Sequence, residues 1–311
     1  MQKKLIITSS PHLRDGASTR RIMQEVCLAL APAGIASIIL FGVAALKLIV
    51  ASVLSCVIAE YLYAKLTNQK VPCADWSAVV TGLLLAYNLP STVPIWIPVV
   101  GGIIAMVLCK AIFGGLGSNF MNPALTARAV LFVSWGSYMG SYPNTRFMTD
   151  TISSATPLAN LANGQSVDLW NLFIGNVPGV LGETCKLALL LGGIYLIVRG
   201  IIDWKIPVCF IGTAFLLFLL KDGFTMALSQ ILSGAMILGA FFMATDYVTS
   251  PVSNLGRVIM GVGCGILIFV IRAFANYPEG CSFAILFMNV MTPMIDRFTV
   301  PKIFGEVKKH G

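Results

Sequence analysis

Histidine and charge are the scarcest features of this chain. Only His12 and His310 occur in 311 residues, both near the ends, which excludes a bis-histidine haem site among apolar helices. Charged residues make up 11% of the sequence, against roughly 25% in a soluble domain. No two of the eight cysteines form a C-x-x-C pair, so neither a zinc site nor an iron–sulfur site can be completed from local spacing. A nucleotide loop is missing as well. Gly261, Gly263 and Gly265 lie inside an apolar run with no strand before them and read as close helix-packing positions. The net charge of +8 does not mark a nucleic-acid binder, because the basic residues gather at the ends of apolar runs.

What is abundant is long apolar sequence. Hydrophobic residues make up 57% of the chain and mean hydropathy is +0.85. A membrane span needs about 20 apolar residues, and ten segments qualify or nearly so: 22–43, 45–64, 76–90, 94–113, 123–138, 183–199, 204–220, 226–245, 256–275 and 280–296. The expected fold is an all-α polytopic membrane protein of about ten transmembrane helices. Residues 1–21 are polar and basic, and two spans follow in direct succession, so they read as a cytoplasmic segment and not as a cleavable signal. Alternating the ten spans from a cytoplasmic N-terminus puts fifteen Lys and Arg inside, Lys110 among them. Five fall outside: Lys47, Arg146, Lys186, Lys221 and Arg272; Arg128, within a span, is not counted. That bias sets the orientation, with both termini cytoplasmic, a tail at 298–311, and the polar stretch 135–182 on the outer face. Trp76, Trp96, Trp135 and Trp204 fall at span ends, as an interfacial belt requires.

The two halves, 22–134 and 183–297, resemble each other. Leu85-Ala86-Tyr87-Asn88-Leu89-Pro90-Ser91-Thr92-Val93-Pro94 aligns with Met243-Ala244-Thr245-Asp246-Tyr247-Val248-Thr249-Ser250-Pro251, and Gly117-Ser118-Asn119-Phe120 with Gly280-Cys281-Ser282-Phe283. Five spans per half invert the second half, giving a 5+5 inverted repeat. Broken helices near Asn88, Pro90, Asn119, Asn122 and Pro123 place the functional site at the repeat interface.

Individual polar residues admit two readings. Asn119, Asn122 and Pro123 either open a half-helix whose free N–H groups face a polar ligand or merely cap a helix. Glu183 either caps the sixth span or holds a cation near the outer face. Asp246 is either an ion-pathway carboxylate or an interfacial one. Glu25 and Glu60, near span ends, need no more than snorkelling or capping. In the outer stretch, Ser153-Ser154-Ala155-Thr156-Pro157-Leu158 places a threonine before proline. Pro157 biases Thr156 to an extended backbone, which would present its hydroxyl to another protein.

An ordered set of motifs resembles a known family. Ser9-Ser10-Pro11-His12, Ser18-Thr19, Ile22-Met23 and Pro32-Ala33 open it. Asn122-Pro123-Ala124, the threonine motif and Gly182-Glu183-Thr184 follow, and Phe241-Phe242-Met243-Ala244-Thr245-Asp246 closes it. Together they resemble the D subunits of Rnf-type ion-translocating ferredoxin:NAD+ oxidoreductases, which are similar to the B subunits of Na+-translocating NADH:quinone reductases. Tyr247 departs from the pattern, where proline is expected after the Thr-Asp pair. The resemblance implies FMN joined through its phosphate to Thr156, within the motif of Ser153, Ser154 and Ala155, by a separate flavin transferase. It implies a second, non-covalent flavin, riboflavin, among the helices, flavin- and iron–sulfur-carrying partner subunits, and a bacterial inner-membrane location. The rival readings are a channel or secondary transporter with no redox role and a structural anchor for a redox complex.

Overall fold

A computed structural model describes residues 18–68, 73–147, 156–165, 167–275 and 279–299. The N-terminal motif up to His12, and Ser153, Ser154 and Ala155, lie outside them. The described chain is helical, with no strand. Helix α1 (Thr19–Phe41) and α2 (Val43–Leu66) meet at Gly42, whose φ of 74° makes the sharp corner between them. Then come α3 (Ser77–Tyr87), α4 (Trp96–Ile103), which widens into π-helical turns over Ile104–Ala111, and α5 (Pro123–Ser134). Short helices α6 (Gly136–Met139), α7 (Pro157–Ala162) and α8 (Leu169–Ile174) fill the polar stretch. The second half holds α9 (Lys186–Val198), α10 (Lys205–Asp222), α11 (Phe224–Leu232), α12 (Met236–Leu238) with π-helical turns to Met243, α13 (Asn254–Phe274) and α14 (Cys281–Thr299).

A helix lies over each of the ten expected segments. Among the described residues, three helices can cross a membrane by length and composition, α1, α2 and α13. A fourth span arises if α11 and Met236–Met243, bent by 67° about Ser233–Ala235, are taken together. Helices α3, α5 and α9 and the run Trp96–Ala111 are apolar but shorter. Apolar side chains cover much of the outside, with Leu28, Ile35, Leu54, Leu191, Leu216 and Val270 all exposed. That pattern suits a lipid-facing surface, and the chain is a multi-pass membrane protein.

The core runs between the halves. Helix α1 packs on α9, and α5 on α14. Gly192 permits the first contact: a Cβ there would fall 2.1 Å from the Ala29 carbonyl oxygen. The break after α3 is held from the outer stretch, where the amides of Leu181 and Gly182 donate to the carbonyls of Leu89 and Tyr87 at 3.1 and 2.9 Å. Gly182 is required here, since a Cβ would meet the Tyr87 Cβ at 2.1 Å.

Segment 226–245, read as one run, is two helices, and its break is the main departure from the expected pattern. Ser233 and Gly234 end α11 inside the protein, leaving the last carbonyls without intrahelical partners. Arg272 donates to the Gln230 and Ser233 carbonyls at 2.6 and 3.1 Å, and Lys186 to the Gly234 carbonyl at 2.7 Å. Two cations thus sit at the negative end of a helix dipole. This corrects the charge tally, in which Lys186 and Arg272 stood as outer-loop residues. Lys186 is buried and Arg272 reaches back into the break. Lys110, counted inside, is buried too. Removing these three residues leaves fourteen against three.

Candidate functional site

Two polar regions flank α5, one beside Arg128 at its middle and one at its N-terminus. In the first region, Thr156 has φ −63° and ψ 155°, the extended backbone expected before proline. Pro157 then takes the first helical position of α7, where its missing N–H costs nothing. The hydroxyl differs from expectation. It is not simply displayed outward but accepts from the Ala159 amide at 3.2 Å, capping α7. Half-buried, it lines a narrow cleft with Leu172, Glu183, Thr184, Lys186, Ser233 and Glu279.

Behind that cleft lies a buried ionic cluster. Arg128 of α5 pairs with Glu279 and donates to Ser282 at 2.5 Å. Lys186 donates to the backbone carbonyls of Glu183 and Gly234. Glu183 does not cap α9, whose N-cap is Cys185 with no side-chain bond. Instead its Oε1 accepts from the Val180 amide at 3.1 Å. The sequence singled out only Glu183 of this set. Arg128 and Lys186 carried a usable signal, since a charge in or at the edge of an apolar run is costly and is kept for a reason. Glu279 carried none, because nothing local pairs it with α5.

In the second region, Asn122 caps α5, its Oδ1 accepting from Ala124 and Leu125 amides at 3.1 and 3.3 Å, and Pro123 follows at the first helical position. The capping reading therefore holds for Asn122, yet its Nδ2 also reaches across to the Met243 carbonyl at 3.3 Å. Asn119, Asn122, Pro123 and Asp246 converge on one cavity of about 390 Å3, together with Ser77, Lys110, Thr245 and the apolar Ile22, Met23, Val26, Phe241 and Phe242. Asp246 hydrogen-bonds to Thr249 Oγ1 at 3.3 Å and to Asn119. Tyr247, at the departure from the motif, anchors this turn by donating to the Ile201 carbonyl. Glu60 is not a snorkelling residue: with Lys110 at 2.7 Å it forms a buried ion pair, and Lys110 also donates to Ser77 Oγ at 2.5 Å. Glu25 pairs with Arg199 at 2.6 Å and accepts from Tyr195.

A helical membrane protein with broken spans and two buried polar regions is the class these features define. The sequence matches the family described as NQR2, RnfD, RnfE over residues 6–305, and the chain belongs to that family. It is 47% identical over 309 residues to the D subunit of the Na(+)-translocating ferredoxin:NAD(+) oxidoreductase complex of Acetobacterium woodii, covering 98% of this chain and 96% of that one. Identity is 39% over 316 residues, 96% of each chain, to the D subunit of the proton-translocating ferredoxin:NAD(+) oxidoreductase complex of Clostridium ljungdahlii. It is 36% over 347 residues to the D subunit of the ion-translocating oxidoreductase complex of Escherichia coli K12, covering 97% of this chain and 99% of the relative.

Proposed function

We propose that this chain is a flavin-carrying membrane subunit of an ion-translocating ferredoxin:NAD+ oxidoreductase, with FMN esterified through its phosphate to Thr156. The carrying observation is the full-length match to D subunits, joined to the position of Thr156: extended backbone, Pro157 behind it, and a hydroxyl at the mouth of an outer cleft. The site fits a phosphoester better than a buried ring. The cleft offers about 20 Å3, so the isoalloxazine would lie outside it, while Thr156 holds the phosphate. A flavin so tethered supplies one- and two-electron chemistry; the protein supplies placement and electrostatics. Attachment needs a separate flavin transferase.

The inner cavity supports a second flavin, riboflavin. Its volume lies within the roughly 300–1,000 Å3 of small-molecule sites. Apolar walls would take the ring, with Asn119, Thr245 and Lys110 offering hydrogen bonds. The packing supports a 5+5 inverted repeat: α2 contacts α3 and α4 as α10 contacts α11 and α13, while α1–α9 and α5–α14 join the halves. In this reading Thr156 faces outward from a bacterial inner membrane, embedded in lipid beside flavin- and iron–sulfur-carrying partners. Asp246 and Glu183 are its ion-pathway candidates. Alone, the chain does not turn over NADH.

The test is mass spectrometry of the Thr156 peptide from protein made with a flavin transferase, which should carry the FMN mass. Thr156→Ala should abolish fluorescence in denaturing gels while the protein still inserts. Fluorescence that survives the substitution would overturn the assignment.

A further inference from the structure

The outer ionic cluster contains more than the ion pairs need. Lys186 and Arg272 are committed to the carbonyls of the α11 break, and Arg128 to Glu279 and Ser282. That leaves the Glu183 carboxyl without a cation in direct contact. Its Oε1 takes the Val180 amide, and its Oε2 is buried with no donor in reach. The Glu279 carboxyl lines the same cleft and is in hydrogen-bonding contact with it. Two carboxylates cannot hydrogen-bond to each other, for both are acceptors. The contact becomes a bond only when one oxygen carries a proton. The same logic makes paired carboxyls in other proteins share one proton.

A second observation adds two further groups to the first. Glu183 Oε2, Thr184 Oγ1 and Ser233 Oγ are all buried without a partner, and all three residues line the cleft that reaches Thr156. The cleft volume of about 20 Å3 suits one water, which needs roughly 10–15 Å3 and two to four polar partners. A metal cation is poorly served. The carbonyls that would ligate it are taken by Lys186 and Arg272, and Arg128 adds a third positive charge.

We propose that Glu183 and Glu279 form a proton-exchange site, holding one proton between two carboxyl groups and exchanging it with outer water through the cavity at Thr156. On uptake a proton from water adds to a carboxylate oxygen; on release it returns by the same path. Groups facing the pair are Arg128 from α5, Lys186 from α9, and Arg272 and the Cys281 thiol from α13 and α14. Both carboxyls sit in connections, outside the helical spans. Burial, and then Glu279, push the Glu183 carboxyl up, whereas at Glu279 burial, the largest single effect, is outweighed only by Arg128, Glu183 and Arg272 together, which hold that carboxyl down. Glu279 has Arg128 as its ion-pair partner and Glu183 has none, so Glu183 is the member that carries the proton. A negative charge added at the cavity mouth strengthens proton binding, and on the reading that Thr156 bears a flavin, charge on that cofactor is felt here.

The experiment is infrared spectroscopy of the assembled complex at neutral pH. A protonated-carboxyl C=O band, shifted in D2O, should be present, lost in Glu183→Gln, and kept in Asp168→Asn, an exposed carboxylate elsewhere on the outer stretch. Dicyclohexylcarbodiimide, which attacks protonated buried carboxyls, should label the Glu183 peptide of the unmutated protein, so the test does not depend on the variant folding. No such band and no label at neutral pH, or a band unchanged by Glu183→Gln, would overturn the site. In Thr156→Ala the band should persist. Failure of the covalent-flavin reading therefore appears as missing fluorescence with the band intact, and failure of the proton site as intact fluorescence without the band.

Discussion

The buried ionic residues define what single side chains do in this protein. Lys110 and Glu60 are 5% and 6% exposed as side chains and 2.7 Å apart, and Glu60 Oε2 has no other partner. Removing one member of such a pair strands the other, at a cost of roughly 3–5 kcal/mol, whereas replacing both by neutral groups of similar shape is far cheaper. Lys110→Met should therefore lower thermal stability sharply in detergent, and adding Glu60→Gln should restore most of the loss. A double variant no better than the single would show that the pair is not the source. At the α9–α10 connection, Asp203 accepts from the Lys205 amide at 3.0 Å and from Arg257 at 2.7 Å. Burial opposes its charge, but these donors prevail and hold its carboxyl below the usual range. A depressed carboxylate stabilises the fold above its unfolded value of about 4 and loses that contribution as pH falls through the lower folded value. Unfolding temperature should thus drop on acidification below about pH 4, with a shallower drop in Asp203→Asn. Identical acid profiles for the two proteins would exclude Asp203 from the response.

At the scale of elements, the helices are tied together by close backbone approach. Gly192 on α9 has the Ala29 carbonyl where a Cβ would stand, while Gly212 on α10 has nothing within 4 Å. Gly192→Ala should cost about 1–3 kcal/mol by overpacking, while Gly212→Ala should be neutral or gain up to ~1 kcal/mol from helix propensity. Equal melting temperatures for the two variants would contradict the packing. That a helix lies over each of the ten apolar runs was legible in sequence because a bilayer demands apolar runs, although only three of them, or four with the bent pair, are long and apolar enough to cross one. Thr156's backbone was legible because proline constrains its neighbour. The α11 break was not, since Ser233 and Gly234 sit in a run otherwise apolar enough to continue. Its carbonyls are satisfied by Lys186 and Arg272, from other helices. The same holds for Glu279 and Arg128: a pair separated by so much sequence has no local pattern, and only the α5–α14 packing brings it together.

For the whole molecule, the two polar regions make distinct demands, and Asp246 separates them. Its carboxylate shares a cavity with Lys110, Asn119, Asn122 and Thr245 at the N-terminal end of α5. Asn122 and Arg128 are six residues apart on that helix, about 9 Å along its axis, so the regions are close in space but share no lining residue. A carboxylate at a break between packed halves is where a cation bound through oxygen, or a proton, would pass. Asp246→Asn keeps the size of the side chain and an acceptor for Thr249, which donates to it at 3.3 Å, so insertion and folding should survive. Flavin attachment at Thr156 should be unchanged, because its cleft contains none of the inner cavity's groups. Ion-coupled ferredoxin:NAD+ activity of the assembled complex should fall at least roughly tenfold, equivalent to ~1.4 kcal/mol. In-gel fluorescence and ion uptake into vesicles measure the two effects on the same preparation. A variant that keeps its fluorescence and pumps at the parental rate would make Asp246 a structural carboxylate of the Tyr247 turn, and would move the ion path to partner subunits.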